Sequence, residues 1–273
     1  MNTEDAYAIK TYASNELVVN GEFMQPESIP FMLSGWNYIS YPRYFPLDPE
    51  VGLSDIDGNI KLLKDDSGNL YWPELGINSI GEMEAGEGYI LKVLGDQAFS
   101  YPSNSDYVNA IDGSTPAGRI GLTQNLHYTG LQKTNSNMVI GLPSYAWNQT
   151  PSIGDEIAAY GEDGELIGST TFQGNHIALT IWGDDLTTDK KDGIRVGESI
   201  SFKLWNSQTG VEQTLEVRWL QGVGFYTTDG ISVAGQIILG SELTTEKQLV
   251  RITDVLGREV NGDEKDVMLL YIY

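Results

Sequence analysis

The chain has 273 residues, with 38 acidic against 16 basic side chains, a formal net charge of −22 and no cysteine. Disulfides, zinc–thiolate sites and thiol nucleophiles are therefore excluded, and without clustered Lys and Arg there is no footprint for nucleic acid. Apolar residues at 40% and charged ones at 20% describe a folding chain long enough for about two domains, and no run approaches the roughly 20 apolar residues of a membrane-spanning helix.

Thirty-one glycines, set among short runs of Tyr, Trp, Val, Ile and Thr, predict strands joined by tight turns. The fold class read from this pattern is all-β: tandem β-sandwich modules, jelly-roll or immunoglobulin-like, mostly antiparallel. The chain opens on an internal copy. Residues 1–10 align without gaps on residues 83–92, sharing Met1/Met83, Tyr7/Tyr89 and Lys10/Lys92, and Leu17-Val18-Val19 falls on Phe99-Ser100-Tyr101. Residues 1–21 thus read as the tail of a preceding repeat, and the whole as a downstream piece of a longer modular protein whose upstream modules are its first partners.

Residues 22–106 form the first predicted module. Gly35-Trp36-Asn37-Tyr38-Ile39-Ser40-Tyr41-Pro42 alternates like a strand and is closed by proline. Residues 60–64, the turn Asp65-Asp66-Ser67-Gly68-Asn69 and residues 70–72 predict a hairpin. Further strands are expected over 89–93 and 98–101. Breakers dominate residues 107–124, including Asp112-Gly113-Ser114-Thr115-Pro116, and mark a linker. The second predicted module, a β-sandwich over 125–240, has strands expected near 138–143, 156–160, 165–172, 176–182, 198–205 and 214–220. The last segment, 241–273, predicts a hairpin across the Asn261-Gly262 turn.

In that last segment Ile252-Thr253-Asp254-Val255-Leu256-Gly257-Arg258-Glu259-Val260 resembles the C-terminal sorting domain of type IX secretion cargo from Bacteroidetes. It lacks a Pro-Asn-Pro start and basic terminal residues, so it reads as a truncated or variant signal. Gly35-Trp36-Asn37, Ile39-Ser40-Tyr41-Pro42, Tyr71-Trp72-Pro73 and Gly86-Glu87-Gly88-Tyr89 resemble a repeat of surface proteins from the same bacteria. Pro151, Gly154-Asp155-Glu156-Ile157, Gly164-Glu165-Leu166-Ile167-Gly168 and Trp182-Gly183-Asp184-Asp185 resemble a partner module found beside it. The resemblance implies export by a secretion machinery, a location outside the bacterial outer membrane, and no catalytic activity.

Two groups of residues are candidates for binding. Asp184, Asp185, Asp189 and Asp192 lie in one loop with Thr187, Thr188 and Glu198, and calcium takes six to eight oxygens of this kind. Lys190, Lys191 and Arg195 interrupt that cluster, and a solvated turn is the competing expectation. Tyr71, Trp72, Trp147 and Trp182 sit at strand ends or beside loops, where an aromatic platform for a glycan occurs, whereas Trp36 and Trp205 alternate with apolar neighbours and predict core positions. His127 and His176 are far apart and no Gly-x-Ser-x-Gly is present, so no catalytic residue is assigned. The resulting expectation is a non-enzymatic surface or secreted protein for structural display or adhesion, stabilised by calcium. The competing readings are carbohydrate-binding accessory modules of a degradative enzyme and a phage fibre or decoration protein.

Overall fold

The computed structural model describes residues 31–104 and 127–240, the strands at 251–254 and 269–272, and a few single positions before residue 31. The repeat copy at 1–21, the linker at 107–124 and most of the sorting-like segment lie outside the described residues.

The first module contains β1 (Phe31–Met32), β2 (Gly35–Ser40), the short helix α1 (Pro49–Gly52), β3 (Ile60–Lys64), β4 (Leu70–Trp72), β5 (Ile77–Asn78), β6 (Gly88–Val93) and β7 (Gln97–Ala98). Five of these strands form an antiparallel sheet in the order β2-β6-β3-β4-β5, while β1 pairs with β7 alone. One face buries Ile39, Leu63, Tyr71, Tyr89, Leu91 and Val93 under the segment that carries Leu53 and Ile56. Asp48 caps that segment's helix through Oδ1 to Glu50 N (2.8 Å), with Pro49 preset at the first helical position. The β3–β4 turn is closed by Asp65, whose carboxylate accepts from Asn69 N and Nδ2, both at 2.7 Å. Gly68 supplies the positive φ of 85° that the turn requires.

The second module contains β8 (Asn137–Leu142), β9 (Glu156–Tyr160), β10 (Leu166–Thr171), β11 (Ile177–Trp182), β12 (Ser201–Trp205), β13 (Glu212–Gln221) and β14 (Ile231–Leu239). They form one seven-stranded sheet in the order β10-β9-β12-β13-β14-β8-β11, antiparallel except where β14 runs parallel to β8. The two outer strands come back toward each other. A Cβ on Gly168 of β10 would stand 2.6 Å from the Thr180 carbonyl of β11, so the sheet curls almost shut around its own core. Ile140, Leu142, Ile157, Ile167, Leu179, Ile181, Phe202, Leu204 and Ile237 fill it. The fold is therefore all-β and sandwich-like. β14, with mixed apolar and polar residues and no breaker ahead of it but Asp229-Gly230, escaped the sequence reading. β15 (Arg251–Asp254) and β16 (Leu269–Ile272) pair antiparallel, as the expected terminal hairpin does.

The two modules share a third core. Leu62, Leu70, Trp72, Leu75 and Ile77, from the back of the first sheet, pack with Val139 and Val233 of the second. This explains patterns that simple alternation does not fit. β4 is buried at all three positions and β8 at all six, because each has one face in its own core and the other in the seam. At Gly141 a Cβ would lie 2.7 Å from Leu75 Cδ1 and 3.1 Å from the Trp72 ring. The hairpin tip docks too: Thr180 Oγ1 donates to the Gly68 carbonyl at 2.8 Å, and Lys133 Nζ to that of Ser67 at 2.8 Å.

A fully buried indole carries about 3–5 kcal/mol on truncation to alanine. Trp72→Ala is expected to lose that much in urea unfolding and to lower the transition of both sheets together. Gly141→Ala, which overfills the seam, should cost about 1–3 kcal/mol. If Trp72→Ala leaves the second sheet's transition unmoved, the seam does not couple the modules.

Candidate functional site

The loop between β11 and β12 carries the four aspartates expected to bind calcium, and it uses three of them on itself. Asp184 Oδ1 accepts from Asp192 N (3.0 Å) and its Oδ2 from Arg195 Nε (2.9 Å). Asp185 Oδ1 accepts from Thr187 N (2.9 Å) and Thr187 Oγ1 (2.7 Å), and Asp192 takes the Asp185 N–H (2.8 Å) and the Thr188 hydroxyl (3.1 Å). Asp189 is exposed. The four carboxylates do not converge, and among the described residues no group of three or more His, Cys, Asp or Glu is placed to hold a metal ion. Side-chain capping of local N–H groups is what Asp and Thr do in turns, and here it engages Asp184, Asp185 and Asp192.

A cation does sit among carboxylates nearby, but it belongs to the chain. Lys191 Nζ lies 2.6 Å from Asp163 Oδ2, 2.8 Å from Glu165 Oε1 and 2.9 Å from Glu198 Oε2. Against the desolvation that opposes its charge, these three partners raise Lys191 above the ordinary lysine value. Its hydrogen bond and charge hold Asp163 below the usual carboxylate range. The Arg195 N–H, followed by Lys191, does the same for Glu198. The interrupting lysine thus staples the acidic loop to the β9–β10 hairpin.

The signs of these shifts fix the pH dependence. Carboxylates lowered in the folded state add stability above their ordinary pKa, and lose it as pH falls through the lowered value. The raised Lys191 adds stability below the ordinary lysine pKa, lost only as pH rises through its raised value. Lys191→Met is therefore expected to lower the thermal midpoint near neutrality and to flatten its decline across the carboxylate range. EDTA should leave the midpoint of the unaltered chain where it was. A drop on chelation would favour a bound calcium ion.

The proposed aromatic platform is corrected by burial. Tyr71 (7% exposed), Trp72 (0%), Trp147 (7%) and Trp182 (2%) are all interior. Tyr71 lies in the first core, where desolvation pushes its hydroxyl up to about 12, and Trp147 meets Phe172 edge-on at 6.3 Å in the second. The Trp182 ring closes over Gly68. Their strand-end positions are as expected, but the covering sheet or turn leaves no ring face for a sugar. Trp205, predicted as core, is instead half-buried on the outer face of β12, its ring stacked on His127 at 4.6 Å and 4°. His127 Nε2 contacts Glu212 Oε1 (3.1 Å), and Glu212 also pairs with Lys203, which stands 5.2 Å over the Tyr160 ring. The His127 and Tyr128 N–H groups donate to the buried Glu156 carboxylate, which seats this entering segment on the sheet. His176 is structural, its Nδ1 accepting from Ser144 N at 3.0 Å.

The most unusual constellation lies at the seam, and sequence reasoning missed it. Lys64, the last residue of β3, is 2% exposed. Its Nζ donates to Asn137 Oδ1 at 2.9 Å and to Asp229 Oδ1 at 2.7 Å. The Trp36 ring lies 4.6 Å beneath that ammonium and 5.1 Å from Lys92 Nζ. Burial holds Lys92 below the usual lysine value, with Asp229 opposing. Asp229 is itself constrained. Among the described residues it alone, glycines apart, has positive φ (57°), a conformation Asp tolerates better than most residues. Its N–H donates to the Asn137 carbonyl (2.9 Å), and its carbonyl accepts from Trp36 Nε1 (3.2 Å). The only local signal is the Asp229-Gly230 turn pair. The three side chains come from positions 64, 137 and 229, so no motif spacing could have joined them.

No protein-family model, curated protein or solved structure matches this chain. What the fold and the site define is an all-β protein whose two modules meet at an apolar seam edged by a charged pair.

Proposed function

We propose that this chain is a non-enzymatic modular protein of structural display or adhesion, acting outside the cell and joined to neighbouring modules of the same longer chain. The observation that carries the reading is the seam. An apolar cluster shared by both sheets, flanked at one side by the buried Lys64 and its partly exposed partner Asp229, suits a part that bears load and holds orientation better than one that opens around a substrate. The polar groups with catalytic potential support it as well, because they serve packing. His176 accepts a backbone N–H, His127 stacks on Trp205, and the acidic loop caps itself. An acidic surface keeps such chains apart at high local density. Weak contacts from many modules then add through effective concentration.

Exposure on intact cells tests the reading. A membrane-impermeant biotin reagent should label the protein on whole producing cells; labelling that appears only after lysis overturns it.

One observation favours a second reading, glycan binding, at residues other than those first expected. The half-buried Trp205 and Tyr160 share one outer face with His127, Lys203 and Glu212, and a sugar that displaced His127 from the Trp205 ring would meet a ring face beside polar groups. Tryptophan fluorescence titrated with polysaccharides should then show saturable quenching that Trp205→Ala abolishes. The display reading expects no saturation.

A further inference from the structure

We infer that Lys64 and Asn137 become joined by an isopeptide bond, formed by the chain itself with Asp229 as proton carrier, so that the two modules are covalently tied. The reactants are in place. An amine is held 2.9 Å from a side-chain amide oxygen, whose carbon is one bond further on, and a carboxylate lies 2.7 Å from the same amine. Lys64 is 2% and Asn137 9% exposed, so the amine and the amide meet in the interior, while the Asp229 side chain, 46% exposed, borders solvent and can exchange protons with it. The Trp36 ring floors the amine at 4.6 Å. Backbone bonds from Asp229 N to the Asn137 carbonyl, and from Trp36 Nε1 to the Asp229 carbonyl, fix the carboxylate's residue to both neighbours. Reactants so held gain the advantage of an intramolecular reaction.

The bookkeeping of atoms closes without a co-reactant. The Lys64 ammonium gives one proton to the Asp229 carboxylate, and the freed lone pair attacks Asn137 Cγ. The N–C bond forms as the carbonyl electron pair moves to Oδ1. That pair then returns, the Cγ–Nδ2 bond breaks, and the departing nitrogen takes its protons from the Asp229 carboxyl and from the attacking nitrogen. It leaves as ammonium, carrying the charge that Lys64 brought in. A secondary amide remains, and Asp229 is again a carboxylate. No oxidation occurs, and a chain without cysteine gains the cross-link that disulfides cannot give it.

The mass of the folded full chain decides the matter. Under denaturing conditions the intact protein should be lighter than its sequence by one ammonia. Proteolysis should release a branched peptide joining the segments around positions 64 and 137. An intact mass equal to the sequence mass overturns the proposal. Lys64→Arg, which keeps the charge at the seam, should restore the full mass. If it does not, ammonia is lost elsewhere, as from a succinimide, and the proposal fails. Asp229→Asn tolerates the same positive φ and should also restore the full mass while circular dichroism reports an unchanged sheet. Complete cross-linking in that variant would overturn the part assigned to Asp229.

Discussion

The seam between the two sheets is the constraint on which the rest of the described structure depends. A sheet of five short strands can bury one face beneath its own loops, but its other face presents Leu62, Leu70 and Trp72 and must be covered. β8 and β14 of the second module cover it with Val139 and Val233. Gly141 is the concession that lets Trp72 and Leu75 approach the backbone. Each module thus completes the other, although each keeps a larger core of its own. This differs from beads joined only by a linker, since the hydrophobic driving force acts across the junction and is proportional to the area removed from water.

The polar side of the seam follows from the apolar one. Covering the back of the first sheet also covers the end of β3, where Lys64 stands. A buried ammonium must find an anion and further acceptors. Asp229, held in an uncommon backbone conformation by the adjoining turn, supplies the anion, and Asn137 at the head of β8 supplies a second oxygen. That requirement brings a buried amine and amide against a carboxyl at the edge of the seam. The chemistry inferred for the trio is thus a by-product of the same desolvation that makes the junction rigid.

In the loop that follows β11, close to Asn137, charge serves a different purpose. The acidic loop remains close to solvent, where isolated pairs contribute little. Its order comes from many short-range bonds between Asp, Thr and backbone N–H groups, with Lys191 as the hub that reaches Asp163, Glu165 and Glu198. Such a network resembles a metal site in composition and differs in direction, because its carboxylates point at donors the chain already owns.

How much was legible follows from what each signal reports. The alternation of residues 35–40 and the Asp65–Asn69 turn specify β2 and the β3–β4 hairpin. Period and turn chemistry are local properties, and they also set the all-β class and most strand positions. Composition alone excluded disulfides and thiol chemistry. The sequence could not say which buried face meets which. Trp72 and Trp182 look like strand-end platforms until another sheet or a turn lies over them, and Trp205 looks like core until its face proves to be the outer one. Nor could spacing predict that positions 64, 137 and 229 meet, because a contact made between two sheets leaves no period in either strand. Burial and charge pairing across the seam are properties of the packed molecule, and only the tertiary structure decides them.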